Sequence, residues 1–238
     1  MWSIMFIKWS KVVLYLNYYA SNLPLFFFLI LSCSIGVIHY KKLSSPFKLL
    51  VGYLCFNLSI EVGSVFGAII YHQNLPLLHL YTLGEFVLWT LFYDRLFKEK
   101  TFLNNYLYWI LGIIGTIVVL NSVFVQSIFS YNSYGKTLVQ TLIICYALRY
   151  SFYFTEDAIY PTLEYRMLRV INAVVLINYS GTLFIYMSSI FWLTDNGAFS
   201  FLSPLNIVLN TIFQLIILIT LWKVVFTHRK SSFLSSSV

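Results

Sequence analysis

Seven apolar runs follow one another along the chain, at 23–38, 48–71, 77–93, 106–125, 136–154, 168–191 and 204–226. Most are close to the ~20 residues that a helix needs to cross a hydrocarbon layer about 30 Å thick. Short polar or basic segments separate them. All five prolines (Pro24, Pro46, Pro76, Pro161 and Pro204) fall at or just before a predicted helix start, where the missing N–H has no intrahelical partner to lose. Asn22-Leu-Pro24-Leu and Asn74-Leu-Pro76-Leu are the same four residues, each opening a helix. The pattern predicts an all-α, polytopic membrane protein built as a seven-transmembrane-helix bundle.

Composition supports this reading. Of the 238 residues 60% are hydrophobic and only 10% charged, and mean hydropathy is +0.81, whereas a soluble domain carries roughly a quarter charged residues. The net charge of +7 does not point to nucleic acid, because the basic residues lie between apolar runs and not along one face. They read as topology signals. With the N-terminus outside, the inner segments hold Lys41, Lys42, Lys48, Arg95, Lys98, Lys100, Arg149, Arg166, Arg169, Lys223, Arg229 and Lys230, and the outer ones only Lys8, Lys11 and Lys136. Twelve against three predicts N-outside, C-inside. Trp89, Trp109 and Trp222 near inner ends and Trp192 near an outer end fit an aromatic belt. Residues 1–22 read as an interfacial segment with Lys8 and Lys11 among aromatics and no signal-peptide cleavage site. Residues 23–226 form the bundle, and 227–238, basic and serine-rich, a disordered cytoplasmic tail. The expected location is the inner (cytoplasmic) membrane of a cell, multi-pass. Cys33, Cys55 and Cys145 sit singly in apolar runs and read as small buried hydrophobes.

The polar residues inside the runs narrow the search for a site. Glu61 and Glu85 occupy the middles of helices two and three, where a carboxyl must be paired, protonated or in use. The turn between those helices is so short that they must be antiparallel neighbours. Counted from Asn74, the two carboxyls lie within roughly 3 Å of one depth at 1.5 Å per residue. With no evident Lys or Arg partner they would repel if both ionised, so at least one is expected to hold a proton, and the sequence leaves open whether the two face each other and share it. Ser64, Ala68 and His72 continue the Glu61 face, and Ser59, Gly63 and Gly67 form a small-residue stripe for close helix packing. Tyr81 and Trp89 flank Glu85 at i−4 and i+4. Helix seven carries Asn206, Asn210 and Gln214 on one stripe, and helix six Asn172, Asn178, Tyr179 and Ser180. The bland account of the amides is interhelical glue worth about 0.6–2 kcal/mol each. The sharper one is a ligand pocket of Glu61, Tyr81, Glu85, Asn206 and Asn210, faced by the helix-seven stripe. His72 and His79 bracket the outer turn with spacing that suits capping better than metal.

Enzyme motifs are missing. No Gly-x-Ser-x-Gly occurs, the last helix lacks the paired histidines of seven-helix zinc hydrolases, and Lys223 lies at the inner end of helix seven, too far for a retinal Schiff base. No catalytic residue, metal or cofactor is therefore assigned. Three stretches carry a likeness: Asn74-Leu-Pro-Leu-Leu-His79-Leu-Tyr81-Thr-Leu-Gly-Glu85-Phe86 with the following Leu-Phe-Tyr93, Ile177-Asn-Tyr179-Ser-Gly181-Thr-Leu-Phe184, and the Asn206/Asn210 stretch ending at Leu221-Trp222. With these the chain resembles small bacterial seven-helix membrane proteins that are similar to the seven-transmembrane sensor regions of histidine kinases. The resemblance implies a sensory, receptor-like role without supplying a ligand. Because no soluble output module is read in the chain, a partner is expected to carry the output: a histidine kinase or another membrane signalling protein. The alternatives are a proton- or cation-coupled small-solute transporter, a lipid-modifying membrane enzyme using a Glu as general base, and a structural role.

Overall fold

Proline at the second position opens two helices, α2 (Ser45–Tyr71) through Pro46 and α3 (Leu75–Leu96) through Pro76. Pro204, expected at the head of the last helix, instead lies inside α7 (Asn196–Leu234), which begins eight residues earlier. The remaining helices are α1 (Asn22–Ile38), α4 (Phe102–Leu120), α5 (Ser133–Tyr153) and α6 (Leu163–Trp192). A 3-10 turn, Tyr40–Lys42, leads into α2, and a π-helical turn, Asn121–Val125, prolongs α4. The computed structural model describes residues 22–71, 73–97, 102–153, 162–192 and 196–234, with side chains other than those of 102–105, 153, 189–203 and 227–234. Among the described residues there is no strand. The interfacial segment, Lys8, Lys11, His72, Lys98, Lys100 and Pro161 lie outside them.

Among the described residues, five helices are long and apolar enough to cross a membrane: Ser45–Tyr71, Leu75–Leu96, Tyr106–Val125, Leu163–Ser188 and Pro204–Phe226. Two of the seven expected runs fall short of that standard for different reasons. α1 is apolar but shorter as described. α5 is long but carries Lys136, Gln140 and Arg149. It packs against both α3 and α6, which bury Lys136 and Gln140, so its sequence need not be apolar throughout. The surface is inverted relative to a soluble protein. Leu23, Phe27, Phe66, Ile69, Ile113, Ile177 and Phe184 are exposed, while Asn132, Lys136, Gln140, Asn172 and Gln214 are buried. Polar groups gathered inside an apolar shell are what a hydrocarbon surround requires. This is a membrane protein.

α3 is the axis of the bundle. It packs on α2, α4 and α5, and its side chains reach α6 and α7. The upper end of the bundle carries the α2–α3 turn and the α4–α5 loop; the lower end carries Tyr40–Lys42 and the end of α3. Mid-height belongs to Trp89, 1% exposed, whose ring meets Tyr53 at 5.0 Å, Phe92 at 5.1 Å, Tyr179 at 5.9 Å and Phe213 at 6.4 Å between centroids. The expectation that Trp89 belongs to an interfacial belt is therefore wrong: its ring is a core element joining four helices. Trp109 and Trp222 are exposed, as belt residues should be. Below Trp89 the lower half is filled by Tyr93, Phe97, Tyr146 and Tyr150 and by Leu50, Leu54, Ile143, Ile171, Ile217 and Leu221. α1 closes the bundle against α2 and α7. Gly36 admits Val51, whose Cγ2 would lie 2.5 Å from a Cβ there, the free thiol of Cys33 meets that of Cys55 at 3.4 Å, and His39 stacks edge-on with Phe226 at 5.5 Å.

Truncating the side chain that all four helices share should be severe. Trp89→Ala is expected to destabilise the fold by about 3–5 kcal/mol, read as a lowered midpoint of thermal unfolding in detergent micelles. An unchanged midpoint would remove Trp89 from the centre of the core.

Candidate functional site

Glu85 is not free, and its partner is not Glu61. Its carboxylate is 1% exposed and forms an ion pair through Oε2 with the Lys136 ammonium. Oε1 accepts hydrogen bonds from the hydroxyls of Tyr81 and Tyr179, each at 2.8 Å. Tyr53 closes the group, its hydroxyl 3.3 Å from that of Tyr81 and 3.5 Å from that of Tyr179. The Lys136 ammonium also lies over the Tyr81 ring at 4.2 Å and faces the Tyr186 ring at 5.6 Å, in the geometry of cation–π attraction. Helices α2, α3, α5 and α6 thus converge on one carboxylate.

Lys136 was counted above as an outer loop charge. Instead it is buried, one turn into α5. That is the wrong sign for its place, since a helix N-terminus carries a partial positive charge that disfavours a cation. Glu85 offsets both that and the loss of water. α5 is set in place by Asn132, whose carboxamide donates to Thr82 Oγ1 at 3.1 Å and accepts from Asn121 at 3.3 Å. Gly135 makes room for it, because a Cβ there would lie 2.5 Å from Asn132 Oδ1. The network continues to the upper end. Gln126 donates to Ser133 Oγ at 2.9 Å. His79 joins Ser122 Oγ at 2.8 Å and the Ser130 carbonyl at 3.1 Å. His79 ties α3 to α4 and the α4–α5 loop, a more specific role than capping the turn. Among the described residues no group of His, Cys, Asp and Glu could hold a metal.

Glu61 lies elsewhere. Leu77 packs beside Gly63, 3.4 Å from where a Cβ would stand, and Phe56 packs against Gly84. These contacts are seven residues apart on each helix, so the register sets Glu85 level with Cys55. Glu61 stands six residues, about 9 Å, further up. Counting from the turn missed this because α2 overshoots the start of α3: the Gln73 N–H reaches back to the Gly67 carbonyl at 3.4 Å. Glu61 shares a stripe with Leu50, Leu54, Asn57, Ser64 and Ala68. The lower members are buried, whereas Glu61 and Ser64 are half-buried.

The helix-seven amides also meet a different partner from the one expected. Asn210 donates to the carbonyl and to Oδ1 of Asn206, both at 2.9 Å, and accepts from Asn178 of α6 at 3.5 Å. Of the five residues read from sequence, the structure joins Tyr81 to Glu85 and Asn206 to Asn210, and leaves Glu61 apart from both pairs. Missed altogether were Lys136 and Tyr53. The signal for Lys136 was its spacing, since Lys136, Gln140, Ile143 and Ala147 form one helical stripe that is buried throughout. Asn172 vindicates the glue account: it accepts from Tyr93 at 2.8 Å and donates to the Ala147 carbonyl at 3.1 Å and Ser151 Oγ at 2.9 Å. Arg149 is exposed near the lower end with its guanidinium 5.8 Å from the Phe97 ring centre.

Compared with known proteins, the chain matches no family model, no curated protein and no solved structure.

A buried pair is costly to break and less costly to replace. Removing one partner strands a charge at about 3–5 kcal/mol, so Glu85→Gln and Lys136→Met should each lower the unfolding midpoint sharply. The double variant should recover part of the loss, giving a favourable coupling in a double-mutant cycle. Additive losses would mean that the two groups do not interact.

Proposed function

We propose that this chain is a receptor-like membrane sensor, in which a ligand entering from the upper end acts on the Glu85–Lys136 pair and shifts α3 against α5. The observation that carries this reading is the one-ended polarity of the bundle. Above Trp89 lie the ion pair, the tyrosine hydroxyls and the Asn132–His79 network; below it lie packed aromatic and aliphatic layers. A membrane-embedded charge pair is expensive to keep, and its presence argues for a task beyond holding helices together. In this reading the pair is the two-state element, and opening it releases α3 from α5.

In this reading all seven helices span the membrane, with the N-terminus and the upper end outside. Removing Lys136 from the count of outer charges strengthens that orientation, because only Lys8 and Lys11 then oppose twelve inner Lys and Arg. The lower end with Lys41, Lys42 and Arg95 faces the cytoplasm and meets the signalling partner, in keeping with the resemblance to histidine-kinase sensor regions. Transport is the second reading, favoured by the same buried pair and disfavoured by the filled lower half.

Two experiments on a variant with Cys33, Cys55 and Cys145 replaced test this. A cysteine at Ser127 should react with an impermeant maleimide from outside intact cells, and one at Lys41 only after permeabilisation. Spin labels at Arg95 and Ser151 should change their separation when Lys136→Met opens the pair, while proteoliposomes of the native chain pass no protons. Proton flux that Glu85→Gln abolishes would establish the transporter instead.

A further inference from the structure

Cys33 of α1 and Cys55 of α2 read from sequence as separate small hydrophobes, yet the fold brings their free thiols together. The Cys33 S–H donates to the Cys55 sulfur at 3.4 Å. Backbone packing sets this contact. Gly36 lies one turn below Cys33 and Val51 one turn below Cys55, and a Cβ at Gly36 would stand 2.5 Å from Val51 Cγ2. The missing side chain lets α1 and α2 approach at this height and places the sulfurs within reach of each other.

The two thiols differ in access. Cys33 is sealed at 6% exposed, whereas Cys55 is half-buried. Cys55 stands level with Glu85 and seven residues, about 10 Å, above Lys48 along α2. That depth lies within the hydrocarbon layer, where solutes dissolved in lipid have access and ions in water do not. A structural metal takes about four ligands, and among the described residues no third His, Cys, Asp or Glu completes a cluster. Two sulfurs already in contact need only a small further approach to bond. The chemistry open to such a pair is oxidation.

We infer that Cys33 and Cys55 form a reversible disulfide between α1 and α2, made by an organic hydroperoxide dissolved in the bilayer. The half-buried Cys55 sulfur attacks the terminal peroxide oxygen. The O–O bond breaks, the alcohol leaves with the thiol proton, and Cys55 carries a sulfenic acid. The Cys33 sulfur then attacks the Cys55 sulfur; the S–O bond breaks and the hydroxyl leaves as water with the Cys33 proton. Two thiols and one hydroperoxide give one disulfide, one alcohol and one water, and the peroxide gains the two electrons that the cysteines lose. A resolving thiol within reach diverts a sulfenic acid from further oxidation, and Cys33 is in contact from the start. The bond ties α1 to the stretch of α2 whose Tyr53 hydroxyl meets those of Tyr81 and Tyr179. This inference stands apart from the receptor reading, whose own tests use a chain with all three cysteines replaced.

The test treats the reduced, purified full chain in lipid nanodiscs with tert-butyl hydroperoxide and then cuts it with trypsin. Lys41 and Lys42, exposed in the turn between the two cysteines, offer the cleavage sites. On a non-reducing denaturing gel the fragments bearing Cys33 and Cys55 should stay joined, and they should part on reduction. In Cys145→Ala, which removes the remaining cysteine of the three, linkage should persist while free thiols fall from two to none. Cys33→Ala and Cys55→Ala should each abolish linkage, and the native chain decides by itself should either fail to fold. Oxidised glutathione, confined to water, should leave the pair reduced. The inference is overturned if the fragments part with both thiols intact, if Cys55 passes to sulfinic acid while Cys33 stays a thiol, or if the linkage joins two chains. Equal linkage by oxidised glutathione would overturn the bilayer as the source of the oxidant.

Discussion

A carboxylate and an ammonium buried in an apolar bundle constrain everything around them. Neither Glu85 nor Lys136 tolerates that environment alone, so α3 and α5 must stay within reach of one another. The remaining lone pairs of Glu85 must also be filled, and the hydroxyls of Tyr81 and Tyr179 fill them. This second requirement brings in α6, and through Tyr53 it brings in α2. The Asn132 carboxamide, seated over Gly135, holds the first turn of α5 where the lysine can reach. Pairs of this kind seldom add net stability compared with apolar residues of the same volume, which is the ground for proposing a switching role for this one.

The pair divides the molecule. Below it, Trp89 and the layers of Tyr93, Phe97, Tyr146 and Tyr150 pack as a soluble core would, with Asn172 as the polar tie between α3, α5 and α6. Above it, hydrogen bonds replace packing: His79, Ser122, Gln126 and Asn132 link α3, α4 and α5, and Glu61, Asn206 and Asn210 are half-buried. A packed lower half and a polar upper half are the features on which the proposed sensor role rests.

Much of this was legible in the residues. Apolar run lengths announce the helices, and the short turn at Asn74 makes α2 and α3 neighbours. Glu85 stands out because a carboxyl in the middle of an apolar run needs an explanation. Its partner was hidden by a correct rule wrongly applied. Lys136 sits at the edge of a run, where the positive-inside rule reads lysines as topology marks, and only the buried stripe it shares with Gln140 and Ile143 says otherwise. The depth of Glu61 was lost for a different reason: residue counting assumes that helices meet squarely at their turn, and α2 overshoots. Helix rotation and overshoot are set by packing, by Gly63 against Leu77 and Gly84 against Phe56, and a single sequence carries no measure of either.

The central claim is that Glu85 is an ionised carboxylate held by Lys136 inside the bundle. Infrared difference spectroscopy of the chain in lipid, native minus Glu85→Gln, with glutamate labelled by carbon-13, reads that state directly. A carboxylate stretching band that is present in the native protein and missing from the variant is the predicted result. A protonated carboxyl carbonyl band in its place would contradict the ion pair, and with it the account of how this membrane protein is organised.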